Sequence, residues 1–199
     1  MPGTLWSAPS SPGNIASLTT SSFTTATLTD ISPALCTIPP GMLNAGTRVR
    51  LTACGTYTAT TAASTIAFGF YMAASGQAIT ATGAVTLGVS SPTTIAAVTG
   101  GLWFAQYFGR MAAVSLTAGT NASIVGHGEV DVSVSLTAGT MGTWQIPATL
   151  TLCTVAQGAT PGFGLVTYLE QNVFAGATVT TNTGLTNIIT DELTCELIG

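Results

Sequence analysis

From Ser123 to Leu136 the chain reads SIVGHGEVDVSVSL, and polar and apolar residues take turns. Ile124, Val130, Val132, Val134 and Leu136 fall on one side of an extended backbone, with His127, Glu129, Asp131, Ser133 and Ser135 on the other. Successive side chains of a strand point to opposite faces, so this pattern sends one face to a core and the other to solvent. The alternation recurs along the chain. In TRVRLTACGTY, Val49, Leu51, Ala53, Gly55 and Tyr57 oppose Arg48, Arg50, Thr52 and Thr56. TIAFGFYM gathers Ile66, Phe68, Phe70 and Met72, and the closing ELTCELIG sets Leu193, Cys195 and Leu197 against Thr194, Glu196 and Ile198. No segment sustains the 3.6-residue period of a helix. The predicted fold is therefore all-β: an antiparallel β-sandwich of about eight to ten strands, of the jelly-roll or Ig-like kind, with the jelly roll preferred.

VSLTAGT occurs twice, at Val114–Thr120 and Val134–Thr140. Each copy reads as the end of a strand running into a turn, with Ala112, Val114 and Leu116 expected inward in the first. The flanking residues differ and no third copy follows, so the repeat predicts consecutive strands of a meander and not a solenoid.

At 199 residues the chain suits one domain. Residues 1–22 are Pro- and Ser-rich and lack the strand pattern, so they are read as an extended N-terminal arm anchored by Trp6, with the sandwich over 23–199. Charged residues make up only 5% of the chain, against roughly 25% in an ordinary domain. There is no lysine; Arg48, Arg50 and Arg110 face seven acids, for a net charge of −4. Three cations neutralise few phosphates, so neither nucleic acid nor an anionic membrane is an expected partner. A surface so poor in charge is weakly protected against association, which points to other subunits covering part of it.

The opening MPGTLWSAPSSPGN has neither a basic n-region nor an apolar h-region, so no secretory signal is expected there. The most apolar stretch, IAAVTGGLWFAQYFGRMAAV, is broken by Gly100, Gly101, Gln106 and Arg110, and no membrane span is predicted. Cys36, Cys54, Cys153 and Cys195 are scattered without a C-x-x-C pair and are expected to be buried free thiols.

Candidate chemistry is sparse. His127 is the single histidine; strand geometry puts it about 6.6 Å from Glu129 on the same face and leaves Asp131 too far to share an ion. Two ligands from one strand make a weak site, so the expectation is a polar outer face, with no metal or cofactor. A nucleophile needs a base held beside it, and no G-x-S-x-G, phosphate-loop or zinc spacing is present. Nothing in the pattern brings two of Glu170, Asp191, Glu192 and Glu196 together as a glycosidase pair, and Asn121 in NAS reads as a turn. No enzyme is expected. GGLWFAQYFGRM differs from the other strands because both sides are apolar: Leu102, Phe104, Gln106, Phe108 and Arg110 on one, Trp103, Ala105, Tyr107 and Met111 on the other. Such a strand is either covered twice within the fold or meets another subunit. The expected interface residues are Trp6, Trp103, Phe104, Tyr107, Phe108, Arg110 and His127, because aromatic residues and arginine anchor interfaces.

Several segments, in order, resemble the jelly-roll capsid decoration (cement) proteins of tailed phages. They are TLWS at Thr4–Ser7, TLTDISP at Thr27–Pro33, AGTRVRLTACGTY at Ala45–Tyr57, TIAFGFY at Thr65–Tyr71, the aromatic strand up to Arg110, GHGEV at Gly126–Val130 and the closing TCELIG. ATPGFGLVTYLEQNVFAG, after Gly158, departs from that family's pattern. The resemblance implies a non-enzymatic homotrimer made in the host cytoplasm, sitting on the exterior of the virion capsid and bound to the major capsid protein. The alternative is a phage tail or fibre module that binds carbohydrate through Trp103, Gln106 and Tyr107. A Thr-ladder ice-binding surface ranks last because strict loop periodicity is missing.

Overall fold

The computed structural model describes residues 4–9, 16–19, 27–33, 36–62, 64–80, 84–114, 122–135, 140–153 and 170–199. At 4–9, 16–19, 134–135, 140 and 149–153 the description covers the backbone alone. The described residues form two antiparallel sheets and no helix. The larger sheet is built from β5 (Arg48–Ala59), β9 (Val98–Ala113), β10 (Ala122–Ser135), β11 (Thr140–Cys153) and β13 (Leu185–Ile198). These lie in the order β13-β5-β9-β10-β11, and β1 (Thr4–Pro9) and β2 (Ala16–Thr19) both pair with the outer edge of β13. In the smaller sheet the order is β3 (Leu28–Asp30), β12 (Gln171–Thr181), β6 (Thr65–Ala74), β7 (Val85–Val89). Beside them, β4 (Cys36–Ile38) pairs with β12 and β8 (Thr93–Thr94) with β6.

The β-sandwich expected from alternation is thus the observed architecture. β9, β10 and β11 are consecutive antiparallel neighbours, the meander expected from the two VSLTAGT copies; the turns themselves, 115–121 and 136–139, lie outside the described residues. The pairs β5–β13 and β6–β12 cross from sheet to sheet together. Of the segment read as an arm, Thr4–Pro9 and Ala16–Thr19 are extended and lie against β13.

The core lies between the sheets. Val49, Leu51, Ala53 and Tyr57 from β5, Ile124, Val130 and Val132 from β10, and Leu193, Cys195 and Leu197 from β13 all point into it, as their alternation requires. From the other sheet come Ile66, Phe68, Phe70 and Met72. Each such aliphatic or aromatic side chain, fully buried, contributes about 1.5–3 kcal/mol. Phe68 stacks on Trp103 across the sandwich, centroids 4.8 Å apart at 18°, and Phe70 meets Tyr107 at 6.4 Å. Offset and tilted aromatic pairs of this kind add to area burial.

Two glycines flank His127 because the inner face has no room there. A Cβ on Gly126 would stand 2.0 Å from the Tyr107 hydroxyl oxygen, and one on Gly128 2.0 Å from the Gln106 carbonyl oxygen. G-H-G is therefore a packing motif, with His127 turned outward between two positions that must lack a side chain.

Tyr57 is buried, and its hydroxyl donates to the Ser133 carbonyl of β10. Tyr57→Phe keeps the ring and removes the bond, so it is expected to cost about 1–2 kcal/mol. Urea denaturation measures this; a loss below a few tenths of a kcal/mol shows that the bond adds nothing.

Of the two alternatives for a strand apolar on both sides, double covering within the fold is not seen for β9 among the described residues. It occurs in β6 and β12, where Tyr71, Ala73, Ile79 and Phe174 form a second buried cluster with Leu28, Ala84 and Val89 on the outer side of the smaller sheet. Two expectations need correction here. Strand β9 buries Trp103, Ala105, Tyr107 and Met111 while Ala112 and Val114 are exposed, so the first VSLTAGT has the opposite phase to that expected. Leu116 lies outside the described residues. Cys36 and Cys195 are buried free thiols, but Cys54 is only half-buried because it sits on the outward phase of β5. The Cys195 thiol is held well above the usual range by its hydrogen bond with Cys36 and by burial. The Cys153 side chain lies outside the described residues.

Candidate functional site

The outer face of the larger sheet is assembled from strands far apart in sequence. Pairing sets Arg48 of β5 opposite Arg110 of β9, and Arg110 opposite Val125 of β10. One row along, Glu196, Arg50, Phe108 and His127 are neighbours, and beyond them Thr194, Thr52, Gln106 and Glu129. The next row is Glu192, Cys54, Phe104 and Asp131. Burial in the half-exposed Cys54 raises its thiol pKa, and the nearby Glu192 and Asp191 carboxylates raise it further. That influence places both acids beside this row.

All three arginines lie here, with Glu129, Asp131, Asp191, Glu192 and Glu196. Eight of the ten charged residues in the chain thus share one face; Asp30 and Glu170 belong to the smaller sheet's side.

The charges are unevenly satisfied. Arg50 forms an ion pair with Glu196. The Gln106 side-chain amide donates to Glu129, and the Thr143 hydroxyl to Asp131. The His127 ring lies 6.1 Å from that of Phe108, tilted by 34°. Among the described residues, neither Arg48 nor Arg110 has an acidic partner, although they face each other across strands. Like charges directly opposite destabilise a sheet, so this end carries a concentrated positive charge. Between and around the charges, Leu102 is 57% exposed, Val125 45%, Met141 40% and Phe108 39%.

Of the residues predicted from sequence, Phe104, Phe108, Arg110 and His127 are brought together on this face. Trp103 and Tyr107 are not. Both lie on the inward phase of β9, at 1% and 0% exposure, and are withdrawn from the interface set. The backbone of Trp6 pairs with Leu197, while its side chain lies outside the described residues. Sequence reasoning passed over Arg48, Arg50, Leu102, Val125 and Met141. For the two arginines the signal was present, since they alternate with Val49 and Leu51.

His127 and Glu129 share the outer face as expected but have separate partners, the Phe108 ring and Gln106. Among the described residues no group of three or more His, Cys, Asp or Glu is placed to hold a metal ion. A shallow, open depression of about 520 Å³ at Ala59, Thr60, Ala97, Val98 and Thr99 offers only threonines as polar side chains. No helix among the described residues is long and apolar enough to cross a membrane.

Among the described residues, fold and face together give a β-sandwich whose smaller sheet buries a second cluster on its outer side and whose larger sheet presents a charged and partly aromatic surface. No protein-family model matches the chain, and no curated protein matches it.

Proposed function

We propose that this chain is a tailed-phage virion structural protein, a decoration or cement protein that binds the outside of the head and acts by contact alone. The observation that carries this reading is the exposed face of the larger sheet, where Leu102, Phe108, Val125 and Met141 stand among eight of the ten charges. Exposed aromatic and aliphatic groups beside arginine match the composition of an interface core better than that of free surface. The segments that resemble decoration proteins supply the location: the head exterior, with the major capsid protein and further copies of the chain as neighbours. Cementing follows from burial across subunit boundaries, at about 25 cal/mol per Å² of apolar surface removed from water, with matched charges fixing the register. The carbohydrate-binding alternative loses its platform, since Trp103 and Tyr107 lie in the core.

The test is co-sedimentation of the purified chain with heads of the phage that encodes it, stripped of decoration protein. Saturable binding and a higher temperature of DNA release are expected. Phe108→Asp is expected to weaken binding at least tenfold, a loss of about 1.4 kcal/mol, with thermal unfolding unchanged. Absence of binding by the wild-type chain at micromolar concentration overturns the proposal.

A further inference from the structure

Two of the four cysteines meet in the core. Cys36 points inward from β4 and Cys195 inward from β13, so they approach from opposite sheets. They are 1% and 0% exposed and belong to one hydrophobic cluster. Cα atoms of β4 and β13 come within 8 Å of each other, closer than the roughly 10 Å at which stacked sheets ordinarily face. The two thiols are hydrogen-bonded, so their sulfurs are already in contact. Cys54, by contrast, points to the outer face of its sheet.

We propose that Cys36 and Cys195 form an oxidation site, at which a small-molecule disulfide converts the two thiols into a cross-link between the sheets. It stands whether or not the chain binds a phage head. The thiolate is the attacking species in such an exchange. Donation from the Cys195 thiol holds Cys36 below its ordinary pKa despite burial, while that bond and burial hold Cys195 well above. Cys36 is therefore the first nucleophile. Its sulfur attacks the reagent RSSR; the reagent's S–S bond breaks, one RS⁻ leaves with the Cys36 proton, and Cys36–S–SR remains. The Cys195 sulfur then attacks that of Cys36 and expels the second RS⁻, which takes the Cys195 proton. Two protein thiols and one RSSR thus become one protein disulfide and two RSH, with two electrons passing to the reagent.

Strand β4 also supplies the way in. Among the described residues its three positions pair only with β12, as Ile38–Gln171, Thr37–Asn172 and Cys36–Val173, with one side-chain bond from the Thr37 hydroxyl to Asn172 at 2.9 Å. Local opening of so short an edge costs far less than global unfolding. Strand β13 is held on one side by β5 and on the other by β1 and β2. Almost the whole sandwich lies between Cys36 and Cys195 in sequence, and closing a long loop restricts the unfolded chain most. Immunoglobulin sandwiches accommodate an inter-sheet disulfide of the same direction. Such bonds persist on virion exteriors, the location proposed above, and not in a reducing cytosol.

The test treats the reduced, folded full chain with oxidised glutathione, then alkylates it in denaturant and digests it with trypsin and a glutamate-specific protease. Cleavage after Arg48, Arg110, Glu170 and Glu192 puts each cysteine on its own peptide. The expected product joins the Cys36 and Cys195 peptides and leaves Cys54 and Cys153 unlinked to either. Calorimetry on the oxidised chain is expected to show a Tm about 5–15 °C above that of the reduced chain, a gain that added reductant removes. Cys36→Ala and Cys195→Ala are each expected to gain nothing from the reagent; the joined peptides in the wild type need neither variant. Recovery of Cys36 and Cys195 as separate alkylated peptides, a link from either to Cys54 or Cys153, or a linked chain that melts no higher than the reduced one overturns the proposal.

Discussion

Trp103→Ala is expected to destabilise the protein by about 3–5 kcal/mol, through lost burial and the cavity left behind. The indole is 1% exposed, stacks on Phe68 of the opposite sheet, and donates its Nε1–H to the Ile189 carbonyl at 3.2 Å. That carbonyl loses its side-chain donor in the variant, an additional cost. A domain of this size shifts by about 2–4 °C in Tm for each kcal/mol, so a drop of roughly 10 °C is expected by calorimetry. Phe108→Ala, five positions on but outward, is expected to stay within about 0.5 kcal/mol of wild type. The contrast tests the phase of β9 directly. Near-equal unfolding midpoints for the two variants overturn that phase.

Gly128→Ala is expected to cost about 3 kcal/mol or more. In a strand with space to spare, replacing glycine by alanine is favourable by about 0.4–1 kcal/mol, because the unfolded chain loses freedom. Space decides the sign here. The new Cβ would meet the Gln106 carbonyl oxygen at 2.0 Å and the Tyr107 Cα at 3.0 Å, both backbone atoms of the neighbouring strand. No rotamer change relieves that contact; β9 and β10 must separate in the middle of the sheet, and overpacking of this kind typically costs about 1–3 kcal/mol before any ladder hydrogen bonds break. Urea denaturation with amide hydrogen exchange on β9 and β10 measures both effects. Unchanged stability and protection exclude the close approach. His127→Ala, the adjacent outward position, is the control and is expected to change little.

Alternation is a local property, and wherever it is unambiguous the sequence alone determined the outcome. β5, β10 and β13 each pair an apolar face with a polar one, and the inward residues whose side chains are described are those expected, while the side chain of Val134 and the whole of Leu136 lie outside the described residues. The inward set of β6 was equally legible, though not the second covering over Tyr71 and Ala73. In β9 both faces are apolar, so the local pattern is degenerate. Only packing against Phe68 and Phe70 assigned Trp103 and Tyr107 to the core and Phe104 and Phe108 to the surface.

The candidate face was less legible for a related reason. Its charges come from positions 48–50, 110, 129–131 and 191–196, which carry no common motif. They become one surface through the pairing of β13 with β5, β5 with β9 and β9 with β10. Alternation determines which way each side chain points. Which charges become neighbours is decided by strand order and register, and those follow from the whole core closing at once.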